Sequence, residues 1–229
     1  AAASDIDAGQ TLSYSLSGTD AAAFNIDATS GEVQLNSSAD FETKASYDLN
    51  VIATDNGTPI LTDTQAVTIS VNDVNEAPTE VGLANVTSDL SENSDTSAAM
   101  KVADIDITDD ALGTNSISLS GNDAASFTVV GSALYLNAGV ALDYETQTSY
   151  AVTVSVQDNS LAGSTPVTVD YALNVTDANE APVITSDTVA SIDENAAITT
   201  VIYTAAASDI DAGQTLSYSL SGTDAAAFN

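Results

Sequence analysis

Apolar and polar residues alternate along four short stretches of this chain. Residues 46–53 (SYDLNVIA) and 149–156 (SYAVTVSV) place Tyr and aliphatic side chains at every second position, and residues 67–71 and 167–175 do the same. A period of two with many Val, Tyr and Thr residues is typical of half-buried antiparallel strands. Gly, Asn, Asp and Ser separate the stretches, and none has the periodicity of a helix. The pattern predicts an all-β fold of two packed sheets.

The chain repeats itself at two levels. Residues 1–25 recur without a change at 205–229. Within that interval LSGTDAAAF, which ends at Phe24, returns as LSGNDAASF, which ends at Phe127. We expect a turn in both copies, followed by a Phe that fills the core. The offsets define a module of roughly 102 residues, so the chain is a piece of a tandem array.

An acidic hexapeptide ending in proline closes each module. It reads DVNEAP at 73–78 and DANEAP at 177–182, outside any hydrophobic run. Proline cannot donate to a strand ladder, so the hexapeptide is expected to be a linker. The predicted domains are a module lacking its first strands (1–78), a complete module (79–182) and the N-terminal part of a third module (183–229).

The duplicated 25 residues have two explanations. A window of one continuous array accounts for the overlap more simply. Alternatively, chains could complement each other by strand exchange, because residues 183–229 and 26–78 together make one module. Without a partner, an unpaired sheet edge would invite aggregation.

The net charge of the chain excludes several classes of function. The chain has 33 acidic residues against two bases, Lys44 and Lys101, which gives a net charge of −31. Nucleic acid and anionic membranes are therefore repelled, and no apolar run predicts membrane insertion. The absence of Cys and His excludes the usual ligands of zinc, haem and iron–sulfur clusters. Hard cations with oxygen ligands remain, and calcium suits flexible acidic linkers better than magnesium.

Five motifs follow one another in a fixed order in the second module: SEN (91–93), ADID (103–106), DYE (143–145), VQDN (156–159) and DANEAP (177–182). The first module matches with SDID, DFE, ATDNG and DVNEAP. In this order the motifs resemble cadherin repeats, in the form found in large bacterial surface proteins. The resemblance covers essentially the whole chain, and implies tandem Greek-key β-sandwich modules joined end to end by calcium-binding linkers.

The resemblance also implies a set of Ca²⁺ ligands at each linker. The set for the first linker is Asp40, Glu42, Asp73, Asn75, Glu76, Asp104, Asp106 and Asp158. The set for the second linker is Glu92, Asp143, Glu145, Asp177, Asn179, Glu180, Asp209 and Asp211. Partial sites are expected at Asp5, Asp7 and Asp55, and at Glu194.

The function that the resemblance implies is mechanical. Calcium at every linker would turn flexibly joined modules into a rod, the stalk or fibre of a secreted or cell-surface bacterial adhesin or matrix protein. Its partners would be neighbouring identical modules in a longer array. A second hypothesis is direct binding, either homophilic between cells or to a polysaccharide, although only 5% of the residues are aromatic. An enzyme is not expected, because the clustered acids are assigned to metal sites.

Overall fold

A computed structural model describes all 229 residues, and the chain forms fifteen β-strands with three short 3₁₀ turns and no α-helix. The first five strands are β1 (Ser13–Ser17), β2 (Phe24–Ile26), β3 (Val33–Leu35), β4 (Ser46–Thr54) and β5 (Thr62–Ser70). The next eight are β6 (Glu80–Ala84), β7 (Asp89–Ser91), β8 (Met100–Thr108), β9 (Asn115–Ser120), β10 (Phe127–Val130), β11 (Ala133–Leu136), β12 (Ser149–Asp158) and β13 (Val167–Thr176). The last two are β14 (Val183–Ile184) and β15 (Ala207–Ser208), and the 3₁₀ turns span Ala21–Ala23, Ala124–Ser126 and Ala225–Ala227.

The chain divides into two compact units. The first unit consists of Ala1–Ala77 together with the loops Asp109–Thr114 and Asp158–Ser164. The second unit consists of Pro78–Thr108, Asn115–Gln157 and Thr165–Asn229.

The first unit contains an antiparallel sheet in the order β1-β4-β5 and a separate hairpin of β2 and β3. Its small core contains Leu49 of β4, and the buried ring of Phe24 meets Tyr47 edge-on at 5.2 Å between centroids. Gly18 adopts a φ of +103°, and a Cβ there would press on the Leu49 and Asn50 backbone, so the turn requires glycine. Strand β5 has a single hydrogen-bonded neighbour, β4.

The second unit contains two four-stranded sheets, in the orders β10-β11-β8-β6 and β7-β13-β12-β9. One hydrophobic core lies between them. The first sheet contributes Val102 and Leu134, and the second contributes Val154 and Leu173, all of them fully buried or nearly so. Burying the apolar face of each sheet on the other is the stabilising arrangement of a β-sandwich. The predicted all-β fold of tandem sandwich modules is confirmed.

The repeated LSG segment folds as predicted in both units. A 3₁₀ turn at Ala21–Ala23 or Ala124–Ser126 ends at a buried phenylalanine. Phe127 meets Tyr171 edge-on at 5.7 Å, as Phe24 meets Tyr47.

Residues 183–229 of the second unit have a different character. They contain only the two-residue pair β14–β15 and the turn Ala225–Ala227. Their large apolar side chains are exposed, among them Ile184, Val201 and Phe228. This segment has apolar residues but no core of its own.

Candidate metal-binding linkers

Oxygen-bearing side chains gather at the linker of residues 73–77, and we call this set linker site 1. All members lie within the first unit: Glu42, Asp73, Asn75, Glu76, Asp110 and Asp158.

Hydrogen bonds hold the side chain of Asp158 in place at linker site 1. Its carboxylate is fully buried and accepts hydrogen bonds from Asn75 Nδ2 at 2.6 Å, Ser160 N at 2.6 Å and Thr114 N at 3.3 Å. Burial acts to raise the pKa of this carboxyl, but the hydrogen bonds outweigh burial and hold the pKa below its usual range. A buried, ionised carboxylate is therefore held at the linker.

Glu76 contributes both its backbone and its side chain. Its backbone N–H donates to Asp110 Oδ2 at 2.6 Å, while Asp110 Oδ1 accepts from Leu112 N at 2.8 Å. The negative charge of Glu42, followed by burial and the charges of other carboxylates nearby, raises the pKa of Glu76. The acids of this site repel one another.

A second set, linker site 2, surrounds the linker of residues 177–181. It consists of Glu92, Glu145, Asp177, Glu180 and Asp211, all within the second unit. One oxygen from each of the first four lies within 4.8 Å of the corresponding oxygen of every other. Four carboxylates so close together form a compact, acceptor-only cluster.

Glu92 is positioned by backbone amides from two directions. Its Oε2 accepts from Tyr144 N at 2.8 Å, next to Glu145, and its Oε1 accepts from Ala178 N at 2.6 Å, inside the linker. It directly follows β7, which pairs in parallel with β13. The end of β7 therefore brings this carboxylate to the start of the linker.

Asp211 approaches linker site 2 from the loop after β15. Its Oδ2 accepts from Glu180 N at 2.9 Å, and its own N–H donates to Asp209 Oδ1 at 3.1 Å. Gln214 Nε2 donates to Asn179 Oδ1 at 2.6 Å and ties the same loop to the linker.

Crowding changes the acidity of linker site 2. Burial, followed by the charges of neighbouring carboxylates, raises the pKa of Glu180 and of Asp177. The pKa of Glu145 is raised for the same two reasons. Each charged form is unfavourable here without a cation.

Several buried oxygens at both linkers have no hydrogen-bond partner. At linker site 1 these are Asp73 Oδ1 and Asn75 Oδ1, and at linker site 2 they are Glu180 Oε2 and Asp211 Oδ1. A buried acceptor without a donor costs free energy unless a further group satisfies it. The two lysines of the chain do not satisfy these oxygens, because Lys44 pairs with Asp20 and Lys101 pairs with Asp104.

The sequence motif and the structure point to different acids: the motif selects two acids within β8, and the structure places an acid of the following loop at the linker. We expected Asp104 and Asp106, which match the DID of SDID. Asp104 instead pairs with Lys101 and accepts from Asn85 Nδ2 at 2.8 Å, and Asp106 is an exposed residue of β8. Asp110, which the motif comparison missed, accepts from the linker amide as Asp211 does in site 2.

Module spacing was the signal that could have identified Asp110. The offset of 103 residues that relates Phe24 to Phe127 also relates Asp7 to Asp110. We assigned Asp104 and Asp106 as ligands instead, because the Asp-Ile-Asp motif at 104–106 has the same residues as the end of SDID. The motif lies at a different position in the module.

The remaining candidate ligands have local roles in the structure. Asp40 and Asp143 each accept hydrogen bonds from the N–H and hydroxyl of the Thr three residues later. These bonds hold the pKa of Asp40 below its usual range. Asp5 accepts from Asp7 N at 2.8 Å, and Asp55 accepts from Leu61 N at 2.9 Å. Glu194 is exposed.

The donor set of both linkers fits calcium. Ca²⁺ takes six to eight oxygen ligands, including carboxylates, amides and backbone carbonyls, in flexible geometry. Linker site 2 offers five carboxylates, and linker site 1 adds the amide oxygen of Asn75. Both present buried acceptors with no donor, as a site for a hard cation requires.

None of the helical segments has the length and apolar character needed to cross a lipid bilayer.

Comparison with known proteins gives one consistent result. Residues 1–72 match the sequence profile of the cadherin domain. Protocadherin alpha-2 of the chimpanzee, Pan troglodytes, is 31% identical over 234 aligned positions. That alignment covers 95% of this chain but only 24% of the relative, so the chain spans about a quarter of its length.

Two solved structures share the architecture. The cis-dimer structure of protocadherin gammaB7 domains EC3-6 is similar with a TM-score of 0.64 and 28% identity, covering 89% of this chain and 49% of that one. Mouse cadherin-23 EC22-24 has the same fold, with a TM-score of 0.72 at 22% identity, covering 97% of this chain and 74% of that one. Sequence and fold agree: residues 1–72 match the cadherin domain, and over most of its length the chain resembles tandem cadherin repeats.

Proposed function

We propose that this chain is a calcium-rigidified structural repeat of an extended extracellular stalk or fibre, in a secreted adhesin or matrix protein of the bacterial type. The observation that carries the proposal is the carboxylate cluster of linker site 2, where one oxygen from each of four acids lies within 4.8 Å of the others. Neither lysine neutralises this cluster, because both pair with other carboxylates. The bacterial setting rests on the sequence resemblance, and the extracellular setting on the protocadherin relatives.

Calcium would supply the positive charge that these carboxylates need. Asp177 and Glu180 would bind it from the linker, and Glu92 and Glu145 from the module before it. Asp211 and Glu180 would offer their unpartnered oxygens. Because ligands from the module, the linker and the following loop would share the same ions, the linker would lose its freedom to bend.

At linker site 1 the chain's own hydrogen bonds prepare the same arrangement. Asp158 orients the Asn75 amide by accepting from its Nδ2, which leaves Asn75 Oδ1 available for a cation. Asp110 holds the Glu76 amide. Preorganised ligands lose less conformational entropy on binding.

Direct adhesion between modules is the second candidate function. The structure of protocadherin gammaB7 EC3-6 is described as a cis-dimer, and this chain resembles it over most of its length. The exposed apolar residues of 183–229 provide a surface on which such contacts could form.

Small-angle X-ray scattering on an array of at least three complete modules tests the first proposal. The maximum dimension and the persistence of the rod should fall when EDTA removes calcium and recover when calcium is restored. A double variant, Glu92→Gln with Glu180→Gln, should be flexible at that linker even in calcium. A shape that ignores chelation, with no calcium bound in calorimetry, would overturn the proposal.

A further inference from the structure

The loop between β4 and β5 contains the only Asn-Gly pair of the chain, Asn56 and Gly57. The side chain of Asn56 is exposed. Hydrogen bonds hold the loop at its base, because the Asp55 N–H donates to the Leu61 carbonyl at 3.1 Å and the Leu61 N–H donates to Asp55 Oδ1 at 2.9 Å. The pair therefore lies in an ordered turn that water reaches.

Backbone amides contact both reactive groups of this pair. The Thr11 N–H donates to Asn56 Oδ1 at 2.9 Å, and the Gly57 N–H donates to Asp55 Oδ1 at 3.1 Å. The first bond places a donor at the oxygen on which negative charge develops when a nucleophile attacks the side-chain amide. The second bond increases the electron density on the Gly57 nitrogen, which is the nearest nucleophile to that amide. The turn thus holds the parts of an intramolecular reaction.

Glycine at position 57 leaves this nitrogen uncrowded. An added Cβ would lie 2.9 Å from Gln10 Oε1 and 3.0 Å from Gln10 Nε2. Both atoms are at the end of a flexible side chain, so alanine would fit after a small movement of Gln10. The φ of Gly57 is not positive, and alanine is compatible with such a backbone. Position 57 therefore accepts a test substitution without unfolding of the loop.

The exposure of Asn56 does not come from the start of the chain. The offset of 103 residues that relates Phe24 to Phe127 also relates Asn56 to Asn159. The second module is preceded by the linker of residues 73–77, and Asn159 is nevertheless exposed. A preceding module would therefore leave Asn56 exposed as well.

The second module provides an internal comparison. The Ser160 N–H donates to Asp158 Oδ1 at 2.6 Å, so the same turn is present. The Thr114 N–H, however, donates to Asp158 Oδ1 at 3.3 Å, whereas its counterpart in the first module donates to the asparagine side chain. Ser160 also has a Cβ beside its nitrogen. Asn159 thus has the turn, but neither the donor at its side-chain oxygen nor the following glycine.

We infer that Asn56 is a site of spontaneous deamidation, with water as the only co-reactant. The Gly57 nitrogen loses its proton to hydroxide from the solvent and bonds to Asn56 Cγ. The Cγ–Nδ2 bond breaks, ammonia leaves and a succinimide ring forms, which is favoured because both groups belong to one dipeptide. Water then opens the ring at either carbonyl, giving aspartate or an isoaspartate whose backbone runs through Cγ. The net reaction converts an amide and water into a carboxylate and ammonium.

The product changes the loop that positions Asp55. Isoaspartate lengthens the backbone between Asp55 and Gly57 by a methylene carbon, so the Gly57 N–H moves away from Asp55 Oδ1. The new carboxylate also lies in the same loop as that of Asp55, and like charges close together repel. Deamidation therefore loosens the loop irreversibly, and altered copies accumulate as the protein ages.

Peptide mapping by mass spectrometry, on the 229-residue chain incubated at neutral and at alkaline pH, measures the reaction. Isoaspartate is identified by enzymatic methylation with isoaspartyl methyltransferase. Asn56 should convert about tenfold faster than Asn159 or more. The rate should rise with pH, because the attacking nitrogen must lose a proton. An Asn56 that keeps its amide, while the same chain unfolded in urea loses it, would overturn the inference.

Unfolding in urea also measures what the fold contributes. It removes the Thr11 donor from Asn56, whereas Asn159 has no such donor to lose. The ratio of the two rates should therefore fall towards the value set by the following glycine or serine alone. A ratio that is the same in the folded and unfolded chains would overturn the role of the turn.

Two variants of the pair complete the test. Gly57→Ala should slow conversion at Asn56 to about the rate at Asn159, with little change in the melting temperature. Asn56→Gln keeps a side-chain amide but needs a larger ring, so it should release no ammonia from this loop. Native rates of ammonia release in either variant would place the reaction elsewhere and overturn the inference.

Discussion

Asp110 accepts a hydrogen bond from the backbone N–H of Glu76 at 2.6 Å, across 34 positions of sequence. The contact ties the linker to the loop after β8, and it is repeated in the second linker by Asp211 and Glu180. Two sites with different loop sequences therefore reach the same arrangement.

Asp110→Asn should weaken calcium binding at linker site 1 by about tenfold, because a charged acceptor and ligand becomes a neutral amide. Asp106→Asn, in the exposed part of β8, is the matched control and should leave binding unchanged. Isothermal titration calorimetry measures both. A larger loss in the Asp106 variant would restore the assignment made from the DID motif.

Gly113 should not tolerate a side chain. Its φ is +68°, and a Cβ there would collide with Asn75 Oδ1 and Asp158 Oδ2. Gly113→Ala should therefore lower both the calcium affinity of linker site 1 and the free energy of unfolding.

Gly163→Ala is the control that distinguishes the steric collision expected at Gly113 from the strain of a left-handed backbone. Its φ of +85° is similar, but no atom lies within 4 Å of the added Cβ. Chemical denaturation should show a loss of about 1 to 2 kcal/mol for the left-handed backbone alone, with unchanged calcium affinity. Equal effects of the two variants on calcium binding would mean that Gly113 is not close to the ligands.

Glu180→Gln should change thermal stability with opposite signs in EDTA and in calcium. In EDTA the substitution removes one of several mutually repelling carboxylates, so the melting temperature should rise. In calcium it removes a ligand, so the melting temperature should fall. Glu80→Gln, at the exposed start of β6, should shift neither value appreciably. The same sign in both buffers would contradict a metal site at this linker.

The raised pKa of Tyr171 predicts how the stability of the fold changes at alkaline pH. Burial, with a smaller contribution from the charge of Asp89, raises the pKa of the Tyr171 hydroxyl from 10.0 to about 12. The hydroxyl also donates to the Thr87 carbonyl at 2.6 Å. The folded protein thus holds this proton more tightly than the unfolded chain, so its stabilising effect is complete below pH 10 and is lost as the pH rises from 10 to about 12.

A Tyr171→Phe variant isolates that effect. At pH 8 it should be less stable than the native protein by about 1 kcal/mol, because the Thr87 carbonyl loses its donor. The difference should shrink between pH 10 and 12, and the tyrosinate absorbance of the native protein should contain one late-titrating group that the variant lacks. A constant difference across this range would contradict the assignment.

The sequence predicted the strands well where apolar residues alternate against a core. Residues 46–53 and 149–156 lie in β4 and β12, and Phe24 and Phe127 are buried, because these positions depend on local pattern and burial. The division into three modules and the ligand sets stay predictions. Asp110 was missed because its role depends on a loop with a different local sequence, and residue types alone do not reveal which acid a linker amide reaches.

Both lysines of the chain are engaged with carboxylates, Lys44 with Asp20 and Lys101 with Asp104. The remaining 31 negative charges therefore have no basic side chain left to neutralise them. Such a chain is a polyelectrolyte, and small mobile ions must neutralise it from the surrounding water. Packed side by side, copies of it would draw in water osmotically and swell. The valence of the dissolved ions, more than the protein surface itself, would set how closely two copies of the chain approach.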